Sequence, residues 1–283
     1  MSEPSLPAFP AAERWADLLA GWGVPRHILE QASESPWTHD RTRFRVDGDL
    51  LRHSVSAEWA RQVVPPIGGT VLDVGCGGGR ASLALVPPAN ELVGVDTSGA
   101  MLDDYLAAAS AAGVARRTIH GAWPDVAPHA PVADVVVCHH VAFNVADIAP
   151  FLVALTGHAR LAVVLEVPTV HPMSAWAPAW RHFWGIERPH GPTSDDLLAV
   201  IDELGLLPES TTSARRALSD FENDPAKLVP VARRRLCLPV ERDAELAEWL
   251  GEHPPPWPDT MATIRWPGAA EHAGTEVGSG SRR

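Results

Sequence analysis

An acid followed by glycines at alternate positions, set between an apolar run and an amphipathic one, constrains this chain more than any other feature. The run is Val71-Leu72-Asp73-Val74-Gly75-Cys76-Gly77-Gly78-Gly79-Arg80. Residues 70–74 read as a buried strand, and a helix over about 79–86 starts with its N-terminus facing the strand's carboxyl end. Gly75, Gly77 and Gly79 let the backbone turn tightly and come close to a ligand. In an open parallel sheet that end is where ligands bind. A dinucleotide fingerprint needs its third glycine one position later, where Arg80 stands, and has no use for Asp73, whose charge repels a pyrophosphate and suits a cationic amine.

From residue 70 onward, strands and helices alternate. Strands are expected near 70–74, 91–95, 116–120, 133–138 and 161–167, with helices near 79–86, 99–112 and 147–157 between them. Apolar strands in this alternation make a doubly wound, mostly parallel α/β sheet covered on both faces. Before it, residues 9–34 read as two short helices, 35–53 as an irregular stretch carrying Trp37, His39, Phe44 and His53, and 55–64 as a helix. After Pro168 the alternation loosens: Pro178 should interrupt any helix through Trp176, Trp180 and Trp184, whose spacing otherwise puts three rings on one face. A helix to about 204, a strand near 210–217, helices near 224–237 and 241–251, and an alternating strand at 260–266 complete the ordered chain, and 268–283 read as a disordered tail. A second acid, Asp96, ends the second strand, where a carboxylate can accept hydrogen bonds from vicinal ribose hydroxyls.

Residues 71–80 and Val93-Gly94-Val95-Asp96-Thr97-Ser98-Gly99-Ala100-Met101-Leu102 together resemble the first two motifs of the class I S-adenosylmethionine-dependent methyltransferases, and the resemblance covers about residues 66–167. It implies S-adenosyl-L-methionine as cofactor and a Rossmann-like, seven-stranded sheet. The implied organisation is an N-terminal helical cap over 1–65 and a methyltransferase domain over 66–267, with acceptor-side insertions at about 168–192 and 221–256. Asp73, Gly75, Cys76 and Gly77 would then line the methionine end of the cofactor, Asp96 would hold the ribose, and Thr97 and Met101 would adjoin the adenine. Many relatives place an acid after the third strand to bond the adenine amine; here Ala122 and Trp123 stand there, with Trp123 either a stacking surface or a core residue and Asp125 a replacement acid.

Cys138-His139-His140 closes the fourth strand at the mouth of the expected site. Three readings compete. His139 or His140 is a general base for an acceptor hydroxyl; or one imidazole packs on the cofactor and the other is structural; or Cys138 is a nucleophile of the cytosine carbon-5 kind, against which stands Val137 in place of that chemistry's usual proline. Period two would send the two imidazoles to opposite faces. Phe143 can wall a pocket and Asn144 can donate or accept a hydrogen bond, and Glu166 and His171, flanking the end of the fifth strand, are further candidates, a structural role suiting each better. The short Asn or Asp, Pro, Pro, aromatic sequence of amine methylation is missing, and the histidines match no metal cluster of the family, so no metal site is assigned.

The remaining constraints are negative. A net charge of −12 disfavours a nucleic-acid acceptor, and the dense basic cluster Arg233-Arg234-Arg235 reads as a solvated helix face rather than a phosphate patch. Three scattered cysteines, no membrane-length apolar run and no leader-like N-terminus suggest reduced thiols in the cytoplasm. The expected function is methylation of a small molecule, most simply on oxygen. The competing classes are an RNA or protein methyltransferase and a protein that binds S-adenosylmethionine without turnover.

Overall fold

Along the central strands, neighbouring residues go to opposite sides. In the computed structural model, which describes residues 9–37, 53–215 and 224–269, Val71, Val135 and Val137 pack on one face of a sheet while Leu72, Val136 and Cys138 pack on the other. Both faces are apolar because both are covered, as a parallel sheet requires.

The chain runs α1 (Pro10–Ala20), α2 (Arg26–Leu29), α3 (Val55–Val63), β1 (Thr70–Val74), α4 (Arg80–Leu83), β2 (Glu91–Asp96), α5 (Gly99–Ala111) and β3 (Ala115–His120). It continues β4 (Ala133–His139), α6 (Ile148–Gly157), β5 (Ala159–Pro168), α7 (Ala177–Trp184), α8 (Ser194–Glu203), β6 (Glu209–Ala214), α9 (Pro225–Arg235), α10 (Asp243–Glu252) and β7 (Thr260–Pro267). The seven strands stand in the order β3-β2-β1-β4-β5-β7-β6, all parallel except β7, which is antiparallel to both neighbours. The winding direction reverses between β1 and β4, and a ligand crevice opens at such a point.

Helices α3, α4 and α5 cover one face, through Ala57, Ala60, Leu83, Leu102 and Tyr105, and α1, α6 and α8 cover the other, through Trp15, Phe151, Leu152 and Leu197. Trp15 is fixed twice, by stacking on Phe143 at 5.4 Å and by an Nε1 bond to the Val145 carbonyl at 2.8 Å. A third apolar cluster joins α2, α7, α9 and α10 through Ile28, Trp180, Ala232 and Leu246, away from the two that flank the sheet.

Helix starts follow side-chain capping. Ser54 accepts from Ala57 N at the head of α3, Ser98 from Met101 N at α5, and Thr193 with Asp196 forms a capping box at α8. Helix α4 is shorter than the 79–86 expected from sequence, since Pro87 and Pro88 lie just ahead and the chain turns from Ala84 onward. Pro178 does not interrupt α7. It lies in the first turn, where the missing N–H costs nothing, and Trp176 and Trp180 on either side are buried in the third cluster. The basic cluster is not a solvated face: Arg233 pairs with Asp243 at 2.7 Å, Arg234 reaches Glu34 at 3.4 Å, and the buried Arg235 donates to the Pro36 carbonyl. Of the expected irregular stretch and tail, residues 38–52, including His39 and Phe44, and residues 270–283 lie outside the described residues.

Gly94, in the middle of β2, leaves the space that Tyr105 fills. A methyl group there would stand 2.8 Å from both Cys76 Sγ and Tyr105 Cζ. Gly94→Ala should therefore lower unfolding stability by about 1–3 kcal/mol in urea denaturation; an unchanged midpoint would mean the Tyr105 ring is not held against the strand.

Candidate functional site

The loop after β1 is shaped by three glycines in left-handed backbone, with φ of 71° at Gly75, 49° at Gly77 and 91° at Gly79. The amides of Gly75 and Cys76 both donate to the Val95 carbonyl, at 2.8 and 3.0 Å, pinning the turn to the end of β2. On the outer side, a Cβ at Gly75 would lie 2.2 Å from Val141 Cγ2, so the loop passes directly beneath the residues that follow β4.

Asp96 ends β2 and faces this loop. Its Oδ2 accepts from Gly77 N at 2.9 Å and its Oδ1 from Ser98 N at 2.8 Å. An ionised carboxylate has about four acceptor positions, so one on each oxygen remains for a pair of ligand hydroxyls. Thr97 beside it is exposed, and Met101 lies half-buried in the first turn of α5. These positions and the strand order bring Gly75, Cys76, Gly77, Asp96, Thr97 and Met101 to one end of the sheet.

Asp73 lies beneath the loop rather than on its open rim. It is 1% exposed and accepts from Ser82 twice, at 3.2 Å from the amide and 2.7 Å from the hydroxyl, which also contacts the Tyr105 hydroxyl at 3.3 Å. Burial pushes its carboxyl from the ordinary 3.8 up to about 7, against the opposing pull of the two Ser82 bonds. The cationic amine expected of its ligand has no open approach to it. Trp123 is likewise covered: it is 8% exposed, joins the main core cluster edge-on to His158, and leaves Nε1 without a partner. Ala122 and Asp125 remain exposed beside it.

At the carboxyl ends of β4 and β5, His139 and Glu166 are paired in register. β4 stops there, because His140 turns into left-handed backbone with φ 62°, its amide donating to the Glu166 carbonyl at 2.8 Å. This departs from strict alternation and keeps both imidazoles near one carboxylate. His140 Nε2 is 3.4 Å from Glu166 Oε1, and Ser56, from the first turn of α3, donates its hydroxyl to Oε2 at 2.5 Å. Burial alone would raise Glu166, but the His140 bond, the charges of both imidazoles and the Ser56 bond outweigh it and hold the carboxyl at about 2. His139 behaves oppositely: burial pushes it down to about 4, leaving it neutral, with Nε2 covered and unpartnered. Arg80, half-buried at the start of α4, feels the Glu166 charge. The result is an anionic carboxylate holding a partly exposed imidazole beside the glycine loop, an arrangement able to take up a proton.

Phe143 packs in the core beneath Trp15, while Asn144 is exposed. His171 stacks on Trp22 at 4.2 Å and accepts from Met173 N at 3.2 Å, and burial pushes it down to about 3. Cys76, Cys138 and Cys237 are buried free thiols, and burial raises the Cys138 thiol far from reactivity. Sequence reasoning missed Ser56 and Arg80. Ser56 could have been noticed only as the second residue after a capping serine, which says nothing of its long-range partner.

Residues 71–160 match the methyltransferase domain family. Among solved structures, the chain is similar to the YcgJ protein of Bacillus subtilis, with a TM-score of 0.51 at 15% identity over 75% of this chain and 97% of that one. It is also similar to the magnesium protoporphyrin IX methyltransferase ChlM of Synechocystis PCC 6803, solved with bound SAH, with a TM-score of 0.51 at 14% identity over 81% of this chain and 93% of that one. At such identities the likeness is one of fold. No curated protein matches the sequence.

The position of Asp73 carries a pH signature. The folded chain keeps that proton to about pH 7 while an unfolded chain loses it near 3.8, so this stabilisation is complete below 3.8 and is lost as pH rises through 7. His139 and His171, both pushed down, act in the opposite sense, so the wild type must be compared with a variant. Asp73→Asn should gain on wild type by on the order of 1 kcal/mol per pH unit across that window in urea denaturation. A constant difference would place a charged Asp73 in the fold.

Proposed function

We propose that this chain is a class I S-adenosylmethionine-dependent methyltransferase, a reading supported by its fold and by the methyltransferase domain match over residues 71–160, and that it methylates an oxygen of a small molecule with His140 as the base. The observation that carries the reading is the Glu166 carboxylate held between His140 and Ser56 beside the glycine loop. Asp96 fits the cofactor's ribose, since it retains one acceptor position on each oxygen beside the glycine loop. S-adenosylmethionine, when bound, supplies a sulfonium methyl as the electrophile.

The chain's own residues then align and deprotonate. His140 would take the proton of the acceptor hydroxyl, and Glu166 would stabilise the imidazolium so formed. His139 is less suited, being held neutral with its Nε2 covered; its place beside the loop suits packing on the cofactor. Ser56 holds Glu166 from the other side, so the N-terminal segment contributes to the site. On this reading residues 1–65 form a cap, residues 66–267 the catalytic domain, and the helices about 168–192 and 221–256 its acceptor-side additions. Arg233 and Arg234 are paired with Asp243 and Glu34, which leaves that cluster less free for a phosphate backbone and favours a small acceptor. Among the described residues no helix is long and apolar enough to cross a membrane. Buried unpaired thiols suit a reducing cytoplasm.

Two experiments test the reading. In titration calorimetry, Asp96→Ala should weaken S-adenosylmethionine binding by about 1–3 kcal/mol through the lost ribose bonds, and undiminished affinity would remove Asp96 from the site. In a methyl-transfer screen over small hydroxylated acceptors, His140→Ala and Glu166→Gln should each lower kcat by roughly two orders of magnitude or more while cofactor affinity stays within about twofold. Wild-type turnover in both variants would eliminate the base.

A further inference from the structure

Arg188, in the connector between α7 and α8, is 8% exposed, and its guanidinium lies 3.9 Å from the centre of the Trp180 ring. Nη1 donates to the Gly23 carbonyl at 2.9 Å, but Nε and Nη2 are buried and have no partner. Among the described residues no carboxylate pairs with Arg188. The acidic group that acts on it is the Cys237 thiol, and burial raises that thiol, so it supplies no counter-charge. An arginine does not shed its charge on burial, so a full cation is enclosed without a counter-charge. Proteins rarely hold such an ion unless something else supplies the opposite charge.

The two orphan nitrogens form one edge of the guanidinium. That edge presents two parallel N–H groups, the geometry that grips a carboxylate or a phosphate side-on. His171, which feels the Arg188 charge, stacks on Trp22 and stands edge-on to Phe143 at 5.4 Å, and Phe143 follows His140 by three residues. The buried, mutually packed rings of Trp22, His171 and Phe143 thus connect the surroundings of Arg188 to the turn that carries His140.

We infer that Arg188 receives an anionic group, a carboxylate or a phosphate, on a small-molecule ligand, which on the reading above is the methyl acceptor. The acceptor is then a small molecule that carries an anionic group. Both orphan nitrogens are covered, so binding requires part of the surrounding wall to open.

Thermal denaturation at fixed ionic strength tests this with benzoate, its neutral isostere benzamide, and inorganic phosphate as probes. Wild type should show a saturable rise in Tm with benzoate or with phosphate and none with benzamide, and the effective anion identifies the group. The rise should vanish in Arg188→Met. Arg188→Lys, which keeps the charge but loses the fork, should need at least about tenfold more anion and serves also if the methionine variant does not fold. No rise with either anion, an equal rise with benzamide, or a rise that survives Arg188→Met overturns the inference. A parallel titration with S-adenosylhomocysteine separates the two claims. Its failure in wild type sinks the methyltransferase reading whatever benzoate does, and its success beside a flat anion response sinks the Arg188 site alone.

Discussion

The carboxyl group of Asp73, sealed at the end of β1, organises the crevice around it. By accepting both the amide and the hydroxyl of Ser82, it ties the start of α4 to the strand that precedes the glycine loop, so the loop is closed from below before any ligand arrives. The Tyr105 hydroxyl meets the same Ser82 oxygen, which adds α5 to the cluster, and the ring fits only because β2 carries glycine at position 94. Three elements are thus locked around one buried polar centre. The rim above it, with Gly77 and Ser98 both donating to Asp96, inherits its position from that centre.

On the other side of the switch point the electrostatics are arranged by contrast. Glu166 is kept anionic by its neighbours, His139 is kept neutral by burial, and His140 stands between water and the carboxylate. One proton can be exchanged there without charging the interior, since the carboxylate is already balanced by hydrogen bonds from two other elements, Ser56 of α3 and the turn after β4.

What was legible in the sequence is what local pattern encodes. The alternation of apolar strands and capped helices, the glycine loop and Asp96 at the end of β2 are all written within a few residues of one another, and the observed sheet follows them closely. Features that depend on distant partners were not legible. Ser56 meets Glu166 across 110 positions, Arg234 meets Glu34 across 200, and nothing near either serine or arginine in the chain announces the contact. Pro178 was misread for a different reason: a proline breaks a helix only from its interior, and whether Ala177 begins one is decided by how Trp176 and Trp180 pack. Trp123 shows the same limit, since an indole after the third strand serves a ligand or the core according to neighbours such as His158, which the local sequence does not reveal.

The left-handed backbone at His140 has a consequence for how this protein trades endurance against use. A side chain with a Cβ costs on the order of 1 kcal/mol or more in that conformation, where glycine costs almost nothing. A chain shaped by thermal endurance alone would drift toward glycine or asparagine at this position and grow sturdier. With His140 as the proposed base, that backbone sets endurance against use, and selecting variants of this chain only for heat resistance would favour its replacement.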